Sequence, residues 1–361
     1  MTGSEPAGER ARGTVLIARL DNAGDVLLAG PAVRAVAAGV RRIVLLTGTR
    51  GSAAGALLPG VDQIITWDAP WVGYTPPEVS GREASKLIRL VRDKAPELAL
   101  IFTSFHQSAL PLSLLLRLAG VPEIAAISGD YPGSLLNVRL TVDESVDVPE
   151  AERMLNLVKA AGFDLPIGDD GALAVRRPLP KVQRLTGPRG YIVVHPGVSA
   201  PARAWSPTSY AKVVRLLTDR GKRVVVTGNT DERVLTAVVA GTRALDLGGR
   251  TKFAELAAVI DGAQAVVAAN TGPAHLAAAV GTPVVSLFAP VVPAERWAPY
   301  RVPAVVLGNQ HALCRNSRAR LCPVPGHPCL SSVTPDEVVE AVIRLDAANH
   351  RVNEIANEGV R

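Results

Sequence analysis

The sequence predicts an α/β protein made of two doubly wound halves, and three observations carry the prediction. Short apolar runs alternate with amphipathic stretches along most of the 361 residues, the pattern of strands separated by helices. Hydrophobic residues make up 48% of the chain but aromatics only 4%, so the core is built from Ala, Val, Leu and Ile, which suits buried parallel strands under Ala-rich helices. The alternation also occurs twice, on either side of a stretch crowded with Gly and Pro. A chain this long suits two domains of ordinary size, and a 20% charged fraction excludes a largely disordered protein.

In the first half, residues 15–18 read as a buried strand that leads through a polar turn into a helix over 26–38, with Pro31 marking a kink or a restart. Strands are expected at 42–46, 63–67, 98–102 and 123–127, with helices at 82–94 and 108–118. Strands separated by helices imply right-handed crossovers and a mainly parallel sheet. The rhythm weakens between Phe163 and Gly190, where Pro166, Gly168, Gly171, Pro178, Pro180, Gly187 and Pro188 crowd together. The expected domains are therefore 14–165 and 190–347, joined by a linker at 166–189. In the second half, strands are expected at 191–195, 223–227, 244–247, 265–268 and 283–288. Helices fall at 207–220, 231–240, 253–262 and 272–280. A closing helix at 334–345 carries Thr334 as its cap, Pro335 at its first position and Glu337 three residues after the cap.

The formal net charge is +6, which favours anionic partners such as phosphates or acidic headgroups. The basic residues are scattered and few aromatics are available for base stacking, which argues against nucleic acid. Residues 1–13 are polar and lack the apolar segment of a signal peptide. The most apolar stretch, 98–120, is interrupted by His106, Gln107, Pro111 and Arg117, unlike a membrane span. Three cysteines, Cys314, Cys322 and Cys329, form no evenly paired secreted framework. With His327 they could make a tetrahedral zinc site, but their spacing matches no tight paired motif, so free thiols or a disulfide are expected instead. A cytoplasmic protein is the resulting expectation.

Ligands of doubly wound sheets bind outside the carboxyl ends of the strands, and the polar motifs gather there. The first strand ends in Arg19-Leu20-Asp21-Asn22-Ala23-Gly24-Asp25. Gly24 permits a tight turn or a close approach, and Asp25 could accept a proton from a substrate hydroxyl or serve as an ordinary helix cap. After the strand at 191–195, Gly197, Ser199 and Arg203 suit a phosphate, through backbone N–H groups and a guanidinium. Trp205 reads as a packing anchor. Next, Thr227, Gly228 and Glu232 form a turn whose acid could bond ribose hydroxyls. The segment Asn270-Thr271-Gly272-Pro273-Ala274-His275 places a helix N-terminus after a strand, a ready anion site with His275 in its first turn.

These motifs, in this order, resemble glycosyltransferase family 9, the heptosyltransferases that use ADP-heptose. The resemblance extends through Leu247-Gly248-Gly249-Arg250-Thr251, Gly281-Thr282-Pro283-Val284-Val285, Trp297-Ala298-Pro299-Tyr300 and the cysteine-rich stretch, and covers about residues 14–345. It implies a GT-B fold of two Rossmann-like domains facing a cleft, with the acceptor mainly in the first, around Asn22 and Gly24, and the nucleotide sugar in the second. It further implies inverting transfer without a metal or other cofactor, with Asp25 as the general base, Arg203 on the diphosphate, Glu232 on the ribose, and Leu247 and Gly249 near the adenine edge. Asn270 stands where the family commonly has Asp, and Arg203 where it usually has Lys. The function so implied is transfer of a heptose or related sugar, from an ADP-linked donor, to a hydroxyl of a cell-envelope glycan or lipid-linked acceptor, a small-molecule acceptor being the alternative, with the positive charge suiting peripheral contact with an anionic membrane. Two other readings are a nucleotide-sugar epimerase of the same fold and a non-catalytic nucleotide-sugar binding protein. The epimerase would need acid/base groups on both faces of the sugar, and Asp25 is the one candidate base.

Overall fold

The computed structural model describes residues 12–73 and 75–358. Residues 1–11, most of the polar opening, lie outside the described residues. The chain clusters into two compact units. One holds 12–21, Pro31–Glu144 and Arg153–Asp170. The other holds Asn22–Gly30, Ser145–Glu152 and the chain from Gly171 onward.

The first unit is a six-stranded sheet. Its strands are β1 (Arg12–Arg19), β2 (Val40–Thr47), β3 (Gln63–Thr66), β4 (Leu98–Phe102), β5 (Glu123–Ile127) and β6 (Val138–Leu140). They lie in the order β3-β2-β1-β4-β5-β6, and every neighbouring pair is parallel. Val15, Leu16, Ile17 and Ala18 of β1 are all fully buried, as an apolar run covered on both faces requires. The helix expected over 26–38 is two helices, Ala23–Leu28 and Gly30–Ala37. Pro31 therefore marks a restart: in a first turn its missing N–H removes no helical bond. The 98–120 stretch is a strand, a loop and the Leu110–Leu118 helix. Among the described residues no helix is long and apolar enough to cross a membrane.

The second unit repeats the plan with β7 (Tyr191–His195), β8 (Val224–Val226), β9 (Leu245–Asp246), β10 (Ala263–Ala269), β11 (Val284–Leu287) and β12 (Ala304–Leu307). The order is β12-β11-β10-β7-β8-β9, again all parallel. Counted from its own first strand, each sheet runs 3-2-1-4-5-6, the dinucleotide-binding order. The strand order reverses between β1 and β4 in one sheet and between β7 and β10 in the other. The closing helix runs from Pro335 to Glu358, beyond the expected end at 345, and packs on β10, β11 and the Pro207–Asp219 helix. Its start is the expected reciprocal cap: Thr334 N donates to Glu337 Oε2 at 2.7 Å and Glu337 N to Thr334 Oγ1 at 3.3 Å.

Candidate functional site

In an open parallel sheet the loops leaving the two strands at the reversal point diverge and leave room for a ligand. In the second unit those strands are β7 and β10, paired with Ala268 opposite His195. The loops that leave them are His195-Pro196-Gly197 and Asn270-Thr271-Gly272, two of the segments the sequence singles out.

Beyond β10 the Gly272–Val280 helix begins, with Thr271 as its extended N-cap residue. Its first-turn donors are fewer than the motif suggests. Thr271 N bonds Ala269 O, Ala274 N bonds Thr271 O, and Pro273 has no N–H, which leaves Gly272. A second helix start compensates. Asn22 stands at the N-cap position of the Ala23–Leu28 helix without a side-chain capping bond, and this helix packs against Gly272–Val280 through two glycines: a Cβ on Gly24 would lie 3.3 Å from Gly272 Cα and 2.7 Å from His275 Cδ2. Two positive helix ends thus meet, and their partial charges add.

Arg203 joins them. Its short 3₁₀ turn, Pro201–Arg203, carries the guanidinium to the Asn270 carbonyl, with Nη1 donating at 3.1 Å, while its buried Nε has no partner. Asn270 is 4% exposed, yet neither its amide oxygen nor its amide nitrogen has a hydrogen-bond partner. His275 is buried, with Nδ1 unpartnered. Burial pushes its imidazole down to about 4, against the pull of Asp25 and with the help of Arg203, so it is neutral near pH 7. Asp25 is the third residue of its helix rather than the cap. Its Oδ1 accepts from the Trp297 indole Nε1 at 3.3 Å. Buried polar groups without partners are uncommon because each costs about 1–3 kcal/mol. Asn270, His275 and Arg203 are three such groups in one place.

A second patch lies past β7 and β8. His195 Nδ1 is 3.0 Å from Thr227 Oγ1, and burial pushes this imidazole down to about 4 as well. Its Nε2 is 3.9 Å from Glu232 Oε2, too long for a hydrogen bond. Glu232 Oε2 accepts from Asn229 N at 2.8 Å, and Asn229 Oδ1 accepts in return from Glu232 N at 3.1 Å. Oε2 thus serves the first turn of its helix, and Oε1 takes no part in that bond. Burial holds its carboxyl above the usual range despite the Asn229 bond. Glycine is required around it. A Cβ on Gly197 would lie 2.1 Å from Glu232 Oε1, and one on Gly228 2.6 Å from Thr236 Cγ2. Gly249 takes φ +64° and donates its N–H to Gly228 O at 2.8 Å.

Not every expected contact residue faces outward. Thr227 and Leu247 are fully buried, their N–H groups bonded to Val194 O and Val226 O. Ser199 is exposed on its loop. Trp205 is a packing anchor, 4% exposed and edge-on to Tyr210 at 4.9 Å. Trp297 was legible only as part of the Trp-Ala-Pro-Tyr run, and nothing in its spacing marks it as the partner of a residue 272 positions away.

The cysteines are all free, and among the described residues no group of three His, Cys, Asp or Glu could hold a metal. Burial, then Cys314 and Cys322, pushes the Cys329 thiol up to about 12. His327 turns to the backbone instead, its Nε2 3.1 Å from Ala202 O, and Ala202 N donates to Arg320 O at 2.9 Å. The cysteine-rich loop thus buttresses the turn that presents Arg203.

The model of glycosyltransferase family 9 (heptosyltransferase) matches residues 85–327. Lipopolysaccharide heptosyltransferase 3 of Escherichia coli K12 is 36% identical over 104 residues, 27% of this chain and 30% of that protein. Lipopolysaccharide heptosyltransferase 2 of the same organism is 26% identical over 239 residues, 58% of this chain and 65% of that protein. The matched segments thus span 30% to 65% of these relatives' length. The solved structure of Escherichia coli ADP-heptose LPS heptosyltransferase II superposes with a TM-score of 0.71 at 20% identity, over 93% of this chain and 99% of that one. The fold is accordingly GT-B, two Rossmann-like domains.

Proposed function

Since the chain belongs to glycosyltransferase family 9, we propose that it is an inverting, metal-independent glycosyltransferase that moves a heptose or related sugar from an ADP-linked donor to a hydroxyl of a cell-envelope glycan or lipid-linked acceptor. The observation that carries this is the convergence of Asp25, Arg203, Asn270 and His275 on two helix N-termini at the reversal point of the second sheet. Transfer develops negative charge on the departing diphosphate. Fixed donors aimed at that charge lower the barrier without reorganising during the reaction. Arg203, the Gly272 N–H and the two helix ends are such donors.

Asp25 acts as the base. Its carboxylate is oriented by a neutral donor, the Trp297 indole, and takes the proton of the acceptor hydroxyl as that oxygen attacks the anomeric carbon. Attack opposite the leaving diphosphate inverts the configuration. His275 stays neutral and offers one donor and one acceptor nitrogen. Glu232, through Oε1, and the Gly197, Gly228 and Gly249 turns would receive the nucleoside. Ser199, on its exposed loop, would bond the phosphate. The solved relative named for ADP-heptose and LPS supports the adenine nucleotide and the envelope acceptor. Asn270 sets this chain apart: an amide both donates and accepts where a carboxylate only accepts, so the sugar hydroxyl facing it can take either role.

Calorimetry with ADP tests the donor half. The expected outcome is one site per chain, weakened about tenfold to a hundredfold in Arg203→Ala, the size of a lost hydrogen bond to a charged group, and unchanged by EDTA. Equal affinity in the variant, or loss of binding in EDTA, would refute it.

A further inference from the structure

The helix that carries Trp297 is a single turn, Ala294–Trp297. So short a helix does not hold itself in water, because its few hydrogen bonds do not offset the entropy of ordering it. Those bonds run from Arg296 N and Trp297 N to Pro293 O, at 3.2 and 3.3 Å, and from Ala298 N to Ala294 O at 2.7 Å. Where the indole points is therefore set by what the turn is tied to.

Arg296 ties it. The side chain is 1% exposed. Its Nε donates to Asp147 Oδ1 at 2.5 Å and its Nη2 to Val146 O at 3.1 Å, while Nη1 lies 3.7 Å from Glu150 Oε1. Glu150 is itself wholly buried and opens the Glu150–Ala160 helix. A guanidinium is a planar fork with its donors in fixed directions, so acceptors on one short segment fix both its place and its angle. Past Trp297, the Tyr300 hydroxyl donates to Glu152 Oε1 at 3.3 Å. Burial, then Glu152, pushes that hydroxyl up, so it stays a donor. The turn is thus fastened to residues 146–152 on either side of the indole.

A buried ion pair adds little net stability, because stripping water from both charges offsets most of their attraction. What this one supplies is geometry, and the next residue uses it. Trp297 Nε1 donates to Asp25 Oδ1 at 3.3 Å, longer than an ordinary N–H to oxygen bond, so a small rotation of the turn would break it. Asn22–Gly30 and Ser145–Glu152 are the two early stretches of chain that cluster with the second unit. Both meet this one turn, the first through Trp297 and the second through Arg296.

We propose that Arg296 is a positioning residue: anchored on residues 146–150, it aims the Trp297 indole at Asp25 and so holds the carboxylate ready for the acceptor hydroxyl. The aim of the indole stands on geometry alone; its effect on turnover rests on the reading of Asp25 as the base.

The test has two readouts. In the nitrogen-15 spectrum of the full chain each of the four tryptophans gives one indole N–H signal, and the signal lost in Trp297→Phe is that of Trp297. Arg296→Lys, which keeps the charge but not the fork, should move that signal and leave those of Trp67, Trp71 and Trp205 in place. Lys222→Met breaks a partly buried ion pair of the second unit, Lys222 Nζ to Asp346 Oδ2 at 2.6 Å, and should lower Tm without moving the Trp297 signal.

The second readout is ADP release from ADP-heptose. Trp297→Phe should lower kcat about tenfold or more, the size of a lost hydrogen bond to a charged group, with ADP affinity within about twofold. Arg296→Lys should lower kcat about fivefold or more in the wild type but less than about twofold on top of Trp297→Phe, because residues that act through one contact are not additive. A merely structural role would cost the same factor in both backgrounds. Should Arg296→Lys fail to fold, as a collapsed spectrum would reveal, Asp147→Asn, at a residue 25% exposed, takes its place in both readouts. An unmoved Trp297 signal, or equal losses in the two backgrounds, overturns the proposal. Asp25→Asn keeps the two readings apart: normal turnover in that variant, or a wild type that releases no ADP, removes the base and not the positioning, which the spectrum then decides.

Discussion

Gly24 and His275 show how tightly the site is set. The imidazole occupies the space that a side chain at position 24 would need, so even one methyl group must displace a buried ring or a helix backbone. Gly24→Ala is expected to cost about 1–3 kcal/mol, the usual penalty of overpacking, and to lower Tm by roughly 2–4 °C per kcal/mol in a unit of this size. An unchanged melting point would mean the two helices separate more easily than their packing suggests. His195 makes a pH prediction. Burial depresses its folded value to about 4 from 6.5, so below pH 6.5 the unfolded chain takes up a proton that the folded chain refuses. Stability is therefore complete above pH 6.5 and falls toward pH 4, by up to about 1.4 kcal/mol per pH unit from this residue. Denaturant melts between pH 7.5 and 4.5 should show the decline, with a shallower slope in His195→Gln. A slope identical in the variant would count against the buried neutral ring. At this scale the polar motifs were legible because strand ends and helix starts leave a local signature. Trp297 was not, since a contact across most of the chain has no local trace, and sequence position alone does not reveal that the side chains of Thr227 and Leu247 are fully buried.

Among the elements, those with strong periodicity and explicit caps were the most readable. The Thr334–Glu337 pair was visible as Thr-Pro-Asp-Glu before an apolar run, and the structure makes both bonds. Thr334→Ala is expected to cost about 1 kcal/mol, measurable as a shifted denaturation midpoint at unchanged slope. A midpoint that stays put would show that tertiary packing alone fixes the helix start. Short edge strands escaped notice. β6 reads Val-Arg-Leu and β12 Ala-Val-Val-Leu; three or four half-exposed residues carry too little pattern to separate from a loop. The helices Thr49–Gly55 and Glu150–Ala160 were missed too, the first because its Gly and Ser content reads as a turn. The cysteine-rich loop was legible as a feature but not as a purpose. Its sequence left free thiols or a disulfide open; the thiols are free, and its packing braces the turn that holds Arg203.

For the whole molecule, the doubled strand order was within reach of the sequence because two equal rhythms of strand and helix permit few right-handed, parallel arrangements. What the rhythm does not carry is how the chain divides: Asn22–Gly30 and Ser145–Glu152 cluster with the second unit, so Asp25 belongs to the same compact body as Arg203, Asn270 and His275. In the proposed mechanism the base and the donor-binding groups then keep one geometry, and substituting the base should leave the donor in place. The most direct measurement is the transfer rate of Asp25→Asn at saturating ADP-sugar, taken alongside its ADP affinity by calorimetry. The expected rate is lower by about 10²–10⁴-fold, the usual contribution of a general base, with ADP affinity within about twofold of the wild type. Near-normal turnover in the variant, or loss of ADP binding in step with the rate, would contradict it.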